Sequence, residues 1–324
     1  MNEEELRGDN IKMNNVVTVK NLEKSYTTRK AVNGIDFVVR KGEILGLLGP
    51  NGAGKSTIIN ILATILSPDK GEISILGHDL KKDVKPIKLE IGIVPQDLAI
   101  YEEITADQNV SFFASLYKLK GENLKHHVKE ALELVGLYDK KDDKPKTFSG
   151  GMKRRLNIAC GIAHQPKLII MDEPTVGIDP QSRNHILQSI KILKKRGATV
   201  IYSTHYMEEV EEICDRIIIM DGGKIIAEGT KEELKQKVND EITYYFHVNN
   251  LNKLSTKEFY LIDGVTNVKI SQNIVEVTIE NSKDNINEII SVITLKGCKI
   301  ESLNSKKASL ETVFLELTGR NLRD

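Results

Sequence analysis

One stretch constrains this chain more than any other. Gly49-Pro50-Asn51-Gly52-Ala53-Gly54-Lys55-Ser56 lies between the apolar run Ile44 to Leu48 and the repeat Ile58, Ile61, Leu62, Ile65. A short apolar run, a glycine-rich turn and apolar residues at helical spacing read as a buried strand, a tight loop and a helix. The loop meets the pattern GxxxxGK[ST] at every required position, in the context that pattern needs. Its glycines let backbone N–H groups turn inward, and the helix N-terminus adds partial positive charge, so the loop is suited to cradling phosphates. On this reading Gly49, Pro50, Asn51, Gly52, Ala53, Gly54, Lys55, Ser56 and Thr57 surround a nucleotide. Lys55 reaches its β and γ phosphates, and the Ser56 hydroxyl ligates Mg2+. A glycine turn with a chance lysine is the alternative, and it leaves the placement between strand and helix unexplained.

The run Leu168-Ile169-Ile170-Met171-Asp172-Glu173 is the natural complement. A buried strand delivers two carboxylates at its C-terminal end, where open parallel sheets bind ligands. Asp172 would hold Mg2+, directly or through water, and Glu173 would polarise an attacking water. Alone, such an ending is also an ordinary helix cap; beside the glycine loop it becomes informative.

Strands and helices alternate along most of the chain, which predicts a largely parallel, buried sheet. Val16 to Lys20 and Ile35 to Arg40 read as short strands, and Thr199 to Ser203 as a strand after the helix carrying Ile186, Leu187, Ile190 and Leu193. Residues 97–163 read as mostly helical, with Val128, Ala131, Leu132 and Val135 on one face, and Lys140 to Lys146 as the solvated loop ending that helix. From about residue 237 the character changes: Val275, Val277 and Ile279 alternate as in a strand with one wet face. Ile286, Ile289, Ile290 and Ile293 repeat as a helix stopped by Gly297. Ser309 caps a last helix ended by Gly319. The expected organisation is a polar tail over 1–15, an α/β domain over 16–236 with a helical subdomain at about 97–163, and a small α+β domain over 237–324.

Composition removes several classes. Lys plus Arg and Asp plus Glu both total 46, so there is no dominant basic field and no nucleic-acid partner is expected. The three cysteines form no CxxC pair, which argues against a disulfide framework or zinc site and fits a reducing compartment. The beginning MNEEELRGDN does not read as a signal peptide. No apolar run approaches the roughly 20 residues that span a bilayer, so no direct membrane insertion is expected and a membrane role needs another chain.

Phe148-Ser149-Gly150-Gly151-Met152 narrows the reading further. Ser149 stands at a helix start beside two glycines whose N–H groups are free to face an anion, a second cradle; a plain Ser-Gly-Gly helix start is the bland alternative. With phosphate loop, signature and acidic strand in this order, residues 16 to 236 resemble the ABC ATPases, whose signature is usually written LSGGQ. The resemblance implies a P-loop NTPase fold of the ABC ATPase type. Such a fold has a mixed, largely parallel sheet core, an antiparallel β subdomain, a helical signature subdomain and, here, a C-terminal α+β domain. It implies a head-to-tail dimer in which Ser149, Gly150, Gly151 and Met152 of one subunit close over the ATP held by the other. By the same resemblance Tyr26 stacks on adenine, with a core or surface tyrosine as the lesser alternative. Gln96 senses Mg2+ and water and leads toward a membrane partner. Asp179 belongs to the loop bridging the two subunits, and His205 contacts the γ-phosphate. The catalytic set is then Glu173, His205, Lys55 and Gln96, with Ser56, Gln96 and Asp172 around the metal.

Two departures stand out: Phe148 and Met152 frame the signature in place of Leu and Gln, and Gly177-Ile178-Asp179 replaces the commoner Ala-Leu-Asp. The groups the chemistry needs are retained. These features, with the ending Ser309 to Gly319, resemble ABC-2 exporters, which include bacterial drug, antibiotic and sodium exporters. The implied protein is the ATP-binding and ATP-hydrolysing subunit of an exporter. It is peripheral on the cytoplasmic face of the membrane beneath a separate transmembrane permease, and the complete motif set favours a homodimer over a heterodimer. Residues 97–117, with Phe112, Phe113 and Leu116, either grip that permease or belong to the helical core. The rival is a soluble ABC ATPase acting as a regulatory or nucleic-acid-associated switch. Against it stand the single cassette and the lack of any heptad array between Lys55 and Asp172.

Overall fold

The computed structural model describes residues 14–27, 29–236, 241–249, 254–280, 282–283, 285–307 and 309–319. The polar tail expected over 1–15 lies outside the described residues up to residue 13, and Asn15 already opens the first strand. The chain divides into two compact units, the second running from Lys231 to Asn321.

The first unit contains, in chain order, β1 (Asn15–Tyr26), β2 (Arg29–Arg40), β3 (Ile44–Leu48), α1 (Lys55–Leu62), β4 (Lys70–Ile75), β5 (His78–Asp79), α2 (Val84–Glu90) and β6 (Ile91–Val94). Then come α3 (Ala106–Leu116), α4 (Gly121–Leu134), α5 (Gly150–Ile162), β7 (Leu168–Asp172), α6 (Pro180–Lys195), β8 (Thr199–Thr204), α7 (Met207–Ile213), β9 (Arg216–Asp221) and β10 (Lys224–Gly229). One sheet has the order β2-β1-β4-β5, and a six-stranded sheet has the order β10-β9-β3-β8-β7-β6. The first is antiparallel; in the second every pair is parallel except β9 with β10. All residues of β3, β7 and β8 are buried, because both faces of this sheet are covered. Along β7, Ile169 and Met171 join the core under the helices, while Leu168 and Ile170 join the core shared with the antiparallel sheet and α1. That two-sided demand is why the sequence shows continuous apolar runs there.

Three expectations change. β1 and β2 extend to Tyr26 and back from Arg29, where the two residues pair across the hairpin; their ends carry exposed polar side chains and so show no apolar alternation. The stretch 97–163 is three helices joined by irregular segments, and α4 ends at Leu134, ahead of the charged run, which itself holds short turns at Tyr138–Lys140 and Pro145–Thr147. α1 stops at Leu62; Thr64 takes φ 61° and Ile65 is exposed, so Ile65 continues the helical spacing without belonging to the helix.

The second unit contains α8 (Lys231–Gln236), β11 (Glu241–Asn249), α9 (Thr256–Phe259), β12 (Val265–Ser271), β13 (Ile274–Glu280), α10 (Ile286–Leu295), β14 (Lys299–Lys307) and α11 (Leu310–Thr318). α8 thus precedes the boundary read at residue 237. Its antiparallel sheet runs β12-β13-β11-β14, so β11 to β14 form a split β-α-β-β-α-β unit. Phe246, Phe259, Val275, Val277, Ile289 and Ile293 make its core. Ser309 accepts a hydrogen bond from the Thr312 N–H at 3.3 Å, and Gly319 closes α11 with φ 70°.

Arg216, buried at the start of β9, joins several elements. Its guanidinium lies 2.8 Å from Glu43 and 2.6 Å from Glu228, and it donates to the Val38 carbonyl. Without it the nearly buried Glu43 carboxylate has lost its counter-charge. Arg216→Leu is therefore expected to destabilise the first unit by about 3–5 kcal/mol, with part recovered by adding Glu43→Gln. Urea unfolding of the three proteins measures this; equal midpoints for wild type and Arg216→Leu would contradict it.

Candidate active site

The loop after β3 turns through Gly54, at φ 105°, before α1 begins at Lys55. A Cβ on Gly54 would lie 2.5 Å from the Ala31 carbonyl oxygen, so both the backbone angle and the space require glycine. Lys55 is buried. Its Nζ donates to the carbonyls of Gly49 at 2.8 Å and Pro50 at 3.2 Å and sits 3.3 Å from Glu173 Oε1. Burial pushes the ammonium below its ordinary pKa, and the adjacent Glu173 carboxylate works against that fall.

The end of β7 is pinned by β8. Asp172 Oδ1 accepts from Ser203 Oγ at 2.5 Å and from Ser56 Oγ at 3.3 Å. The next residue, Glu173, is in the left-handed region at φ 45°, and its N–H donates to Ser203. A non-glycine residue in that conformation stores strain that its surroundings must hold. Here the bend carries the buried Glu173 carboxylate to Lys55 on one side and to His205 Nδ1, 3.3 Å from Oε2, on the other. That His205 nitrogen is not aligned as a hydrogen bond.

Tyr26, Asn51, Gly52, Gly54, Lys55, Ser56, Thr57, Gln96 and Glu173 share one cleft of about 260 Å3 with Arg29 and Ala31. Tyr26 and Gln96 are exposed at its wall. A larger groove of about 480 Å3, lined by His127, Leu134, Pro166 and Arg196 among others, shares none of these residues; the cleft matters because the convergent charged groups are there.

Ser149 to Met152 and Asp179 do not line that cleft. Ser149 is exposed and caps α5, accepting from the Met152 N–H at 3.3 Å. Phe148 is buried in the helical core and Met152 packs against it, so the two departures from the common signature fill apolar space and leave Ser149 and Gly150 exposed. Asp179 caps α6, accepting from the Ser182 N–H at 2.9 Å, and this bond holds its carboxyl below the ordinary range. The two motifs touch: a Cβ on Gly151 would lie 2.0 Å from Ser182 Oγ and 2.9 Å from Asp179 Oδ2.

Sequence reading missed four supporting residues. Ser203 pairs with Asp172 across β7 and β8, which only the sheet order reveals. Arg29 donates to the Gly52 carbonyl at 2.7 Å. Arg154 and Asn157 of α5 both donate to the Pro95 carbonyl, at 3.1 and 3.4 Å, and so hold the turn that carries Gln96.

A phosphate-cradling loop and an acidic strand end that converge on one cleft define a P-loop ATPase. Comparison narrows the class: the ABC transporter model matches residues 32–176, and that of the C-terminal domain of DrrA1-3-like ATP-binding proteins matches 229–318. The chain belongs to the ABC transporter family, as an ATP-binding and ATP-hydrolysing subunit that carries a DrrA1-3-like C-terminal domain. It is 42% identical over 311 residues to the linearmycin resistance ATP-binding protein LnrL of Bacillus subtilis (strain 168), covering 95% of this chain and 100% of the relative. It is 34% identical to the Nod factor export ATP-binding protein I of Rhizobium sp. (strain N33), covering 94% and 98%. Among solved structures, a dimeric post-hydrolysis state of the ATP-binding cassette MJ0796 bound to ADP and Pi matches with a TM-score of 0.61 and 28% identity, over 66% of this chain and 98% of that one.

The Gly151 contact yields a specific test. Gly151→Ala drives a methyl into Ser182 and is expected to lower ATP turnover about tenfold or more while ATP binding persists, because small misplacements in such assemblies cost that much. Ser182→Gly added to Gly151→Ala removes the two closest clashing atoms, leaving only the Asp179 Oδ2 contact at 2.9 Å, and restores part of the rate. Steady-state ATPase assays of both variants decide it; no recovery in the double variant would show that the close approach is not the cause.

Proposed function

We propose that this chain powers export from the cytoplasmic face of a membrane. In this reading it is a peripheral homodimer beneath a separate transmembrane permease, closing on two Mg-ATP and opening after hydrolysis. One observation carries the reading: Lys55, Glu173 and Gln96 line one cleft, whereas the signature serine and glycines lie outside it. A second copy is then the natural source of the missing half. The names of the relatives support export, since one serves Nod factor export and another linearmycin resistance. Among the described residues no helix is long and apolar enough to cross a membrane. In the helical region Tyr101, Phe112 and Leu116 are exposed, with the Tyr101 and Phe112 rings 5.3 Å apart, while Phe113 packs on the core. The exposed members are the surface proposed for the permease.

The residues fit Mg2+. Ser56 Oγ and Asp172 Oδ1 are hard oxygen donors 3.3 Å apart, and among the described residues no group of three or more His, Cys, Asp or Glu is clustered so as to hold a metal by itself. Magnesium in nucleotide sites takes one or two protein oxygens and fills the rest of its shell with phosphate and water. When bound it would neutralise charge on the β and γ phosphates.

In hydrolysis the water oxygen bonds to the γ-phosphorus as the bond to the β,γ-bridging oxygen breaks and ADP leaves. Glu173 orients that water and accepts its proton. Lys55 exchanges the Gly49 and Pro50 carbonyls for phosphate oxygens, and His205 meets the γ-phosphate opposite it. Ser149 of the other copy completes the shell. Tyr26 offers a face for adenine and Asp179 the bridge between copies. Because each ATP touches both copies, ATP favours closure, and its cleavage removes those contacts.

Glu173→Gln tests this. The variant is expected to bind ATP as wild type does, to lose about 10²- to 10⁴-fold in turnover, and to run as a dimer in ATP by size-exclusion with light scattering. Undiminished turnover would remove Glu173 from its role, and a monomer in saturating ATP would contradict the clamp.

A further inference from the structure

Behind His205 lies a buried carboxylate that the hydrolytic scheme does not use. Glu209, on α7, is 1% exposed. Its Oε2 accepts from Tyr202 Oη at 2.8 Å and from Thr204 Oγ1 at 2.9 Å, and Thr204 Oγ1 in turn accepts the Tyr206 N–H at 3.0 Å. The residues on both sides of His205 are thus tied, directly or at one remove, to a single carboxylate. Tyr202 Oη also meets Thr175 Oγ1 at 3.3 Å, in the turn that follows Glu173.

The other oxygen of Glu209 is less well held. Oε1 has no aligned hydrogen bond, and its ion-pair partner is Arg183, with Nε at 3.5 Å. Arg183 sits on α6 next to Ser182, the residue against Gly151, and its N–H donates to the Asp179 carbonyl at 2.9 Å. Its guanidinium lies 5.0 Å from the centre of the Tyr206 ring, which lies 4.2 Å from the His205 ring. One continuous set of contacts therefore runs from the signature glycine, through the cap of α6 and the Arg183–Glu209 pair, to His205 and Glu173. Only the Glu209 half of the pair is buried: a buried carboxylate is costly unless partners meet it, and Arg183, with about a third of its side chain exposed, meets Oε1 without an aligned hydrogen bond. A pair held this loosely is poorly accounted for by stability alone.

We propose that Glu209 and Arg183 are positioning residues for His205. Glu209 fixes the backbone on either side of the histidine. Arg183, through Glu209 and the Tyr206 ring, ties the imidazole to the α6 cap that carries Asp179. The proposal rests on the reading of His205 as the γ-phosphate contact. It adds the prediction that disturbing the α6 cap is felt at His205 within one chain.

The test uses the full chain with Mg-ATP. Arg183→Ala, Arg183→Lys and Glu209→Gln are made in the wild type, and Arg183→Ala also in His205→Ala, where single-turnover hydrolysis with excess protein reads the residual rate. Arg183→Ala is expected to lower kcat about 10- to 100-fold with KM within about twofold, as misplacement of a catalytic group does. Arg183→Lys recovers part of the rate, since it keeps charge without the planar stack. In the His205→Ala background Arg183→Ala changes the rate less than about twofold, because residues acting through one group are not additive. The imidazole 15N resonances of His205, assigned by their loss in His205→Ala, shift in Arg183→Ala and Glu209→Gln while those of His78 do not. An equal loss in both backgrounds, or unmoved His205 resonances, overturns the proposal. If Glu173→Gln and His205→Ala lower turnover but Arg183→Ala does not, positioning alone fails; if neither of the first two lowers it, the hydrolytic reading fails first.

Discussion

Two adjacent carboxylates at the end of one buried strand are the constraint around which the first unit is arranged. Asp172 and Glu173 are both nearly inaccessible, and so is Lys55. Charges taken out of water are tolerated only where partners meet them. β8 supplies Ser203 to Asp172 and to the Glu173 backbone, the glycine loop supplies Lys55, and the turn after β8 supplies His205. Strand order is what makes this possible, since β7 lies beside β8 and β8 beside β3, which launches the loop. The result is a set of fixed dipoles and charges in which Lys55 and Glu173 line the cleft while Asp172, Ser203 and His205 hold them from behind, the kind of arrangement that electrostatic stabilisation of a transferring phosphoryl group requires.

The signature motif follows a different logic. Its serine is exposed, its second glycine is pressed against the α6 cap, and its flanking Phe148 and Met152 are spent on the core. Such a motif presents a helix end outward while being braced from behind. Arg154 and Asn157, farther along the same helix, brace the turn bearing Gln96. One helix thus carries the exposed signature serine at its start and supports the turn bearing Gln96, next to the exposed aromatic surface, farther along.

Much of this was legible beforehand, for a physical reason. β3 and β7 are buried on both faces, so their apolar runs stand out, and the motifs attached to them have fixed spacing. The cap at Ser309 and the stop at Gly319 were equally legible because capping is local chemistry. What could not be read depends on pairing across the sheet or between helices. Ser203 matters because it faces Asp172 in register. Arg29 matters because the hairpin returns it to Tyr26, and the charged ends of β1 and β2 hid that hairpin. Arg183 and Glu209 lie in different helices and share no spacing pattern. Ile65 misled in the other direction, matching a helical period after the helix had ended. Within the stretch read as mostly helical, 97–163, the start of α3 is set by side-chain hydrogen bonds to the backbone, the Thr105–Gln108 capping box, which the apolar spacing does not register.

The central claim is that one chain holds the triphosphate and metal while a second chain closes over them. A crystal structure of the full-length protein with Mg2+ and a non-hydrolysable ATP analogue tests it most directly. The account predicts Lys55 on the β and γ phosphates, Ser56 and Asp172 at the metal, and Ser149 with the Gly151 N–H of the opposing copy against the γ-phosphate. A monomer whose γ-phosphate is enclosed by its own residues, or a dimer joined away from Ser149 and Asp179 with nucleotide fully bound, would contradict it.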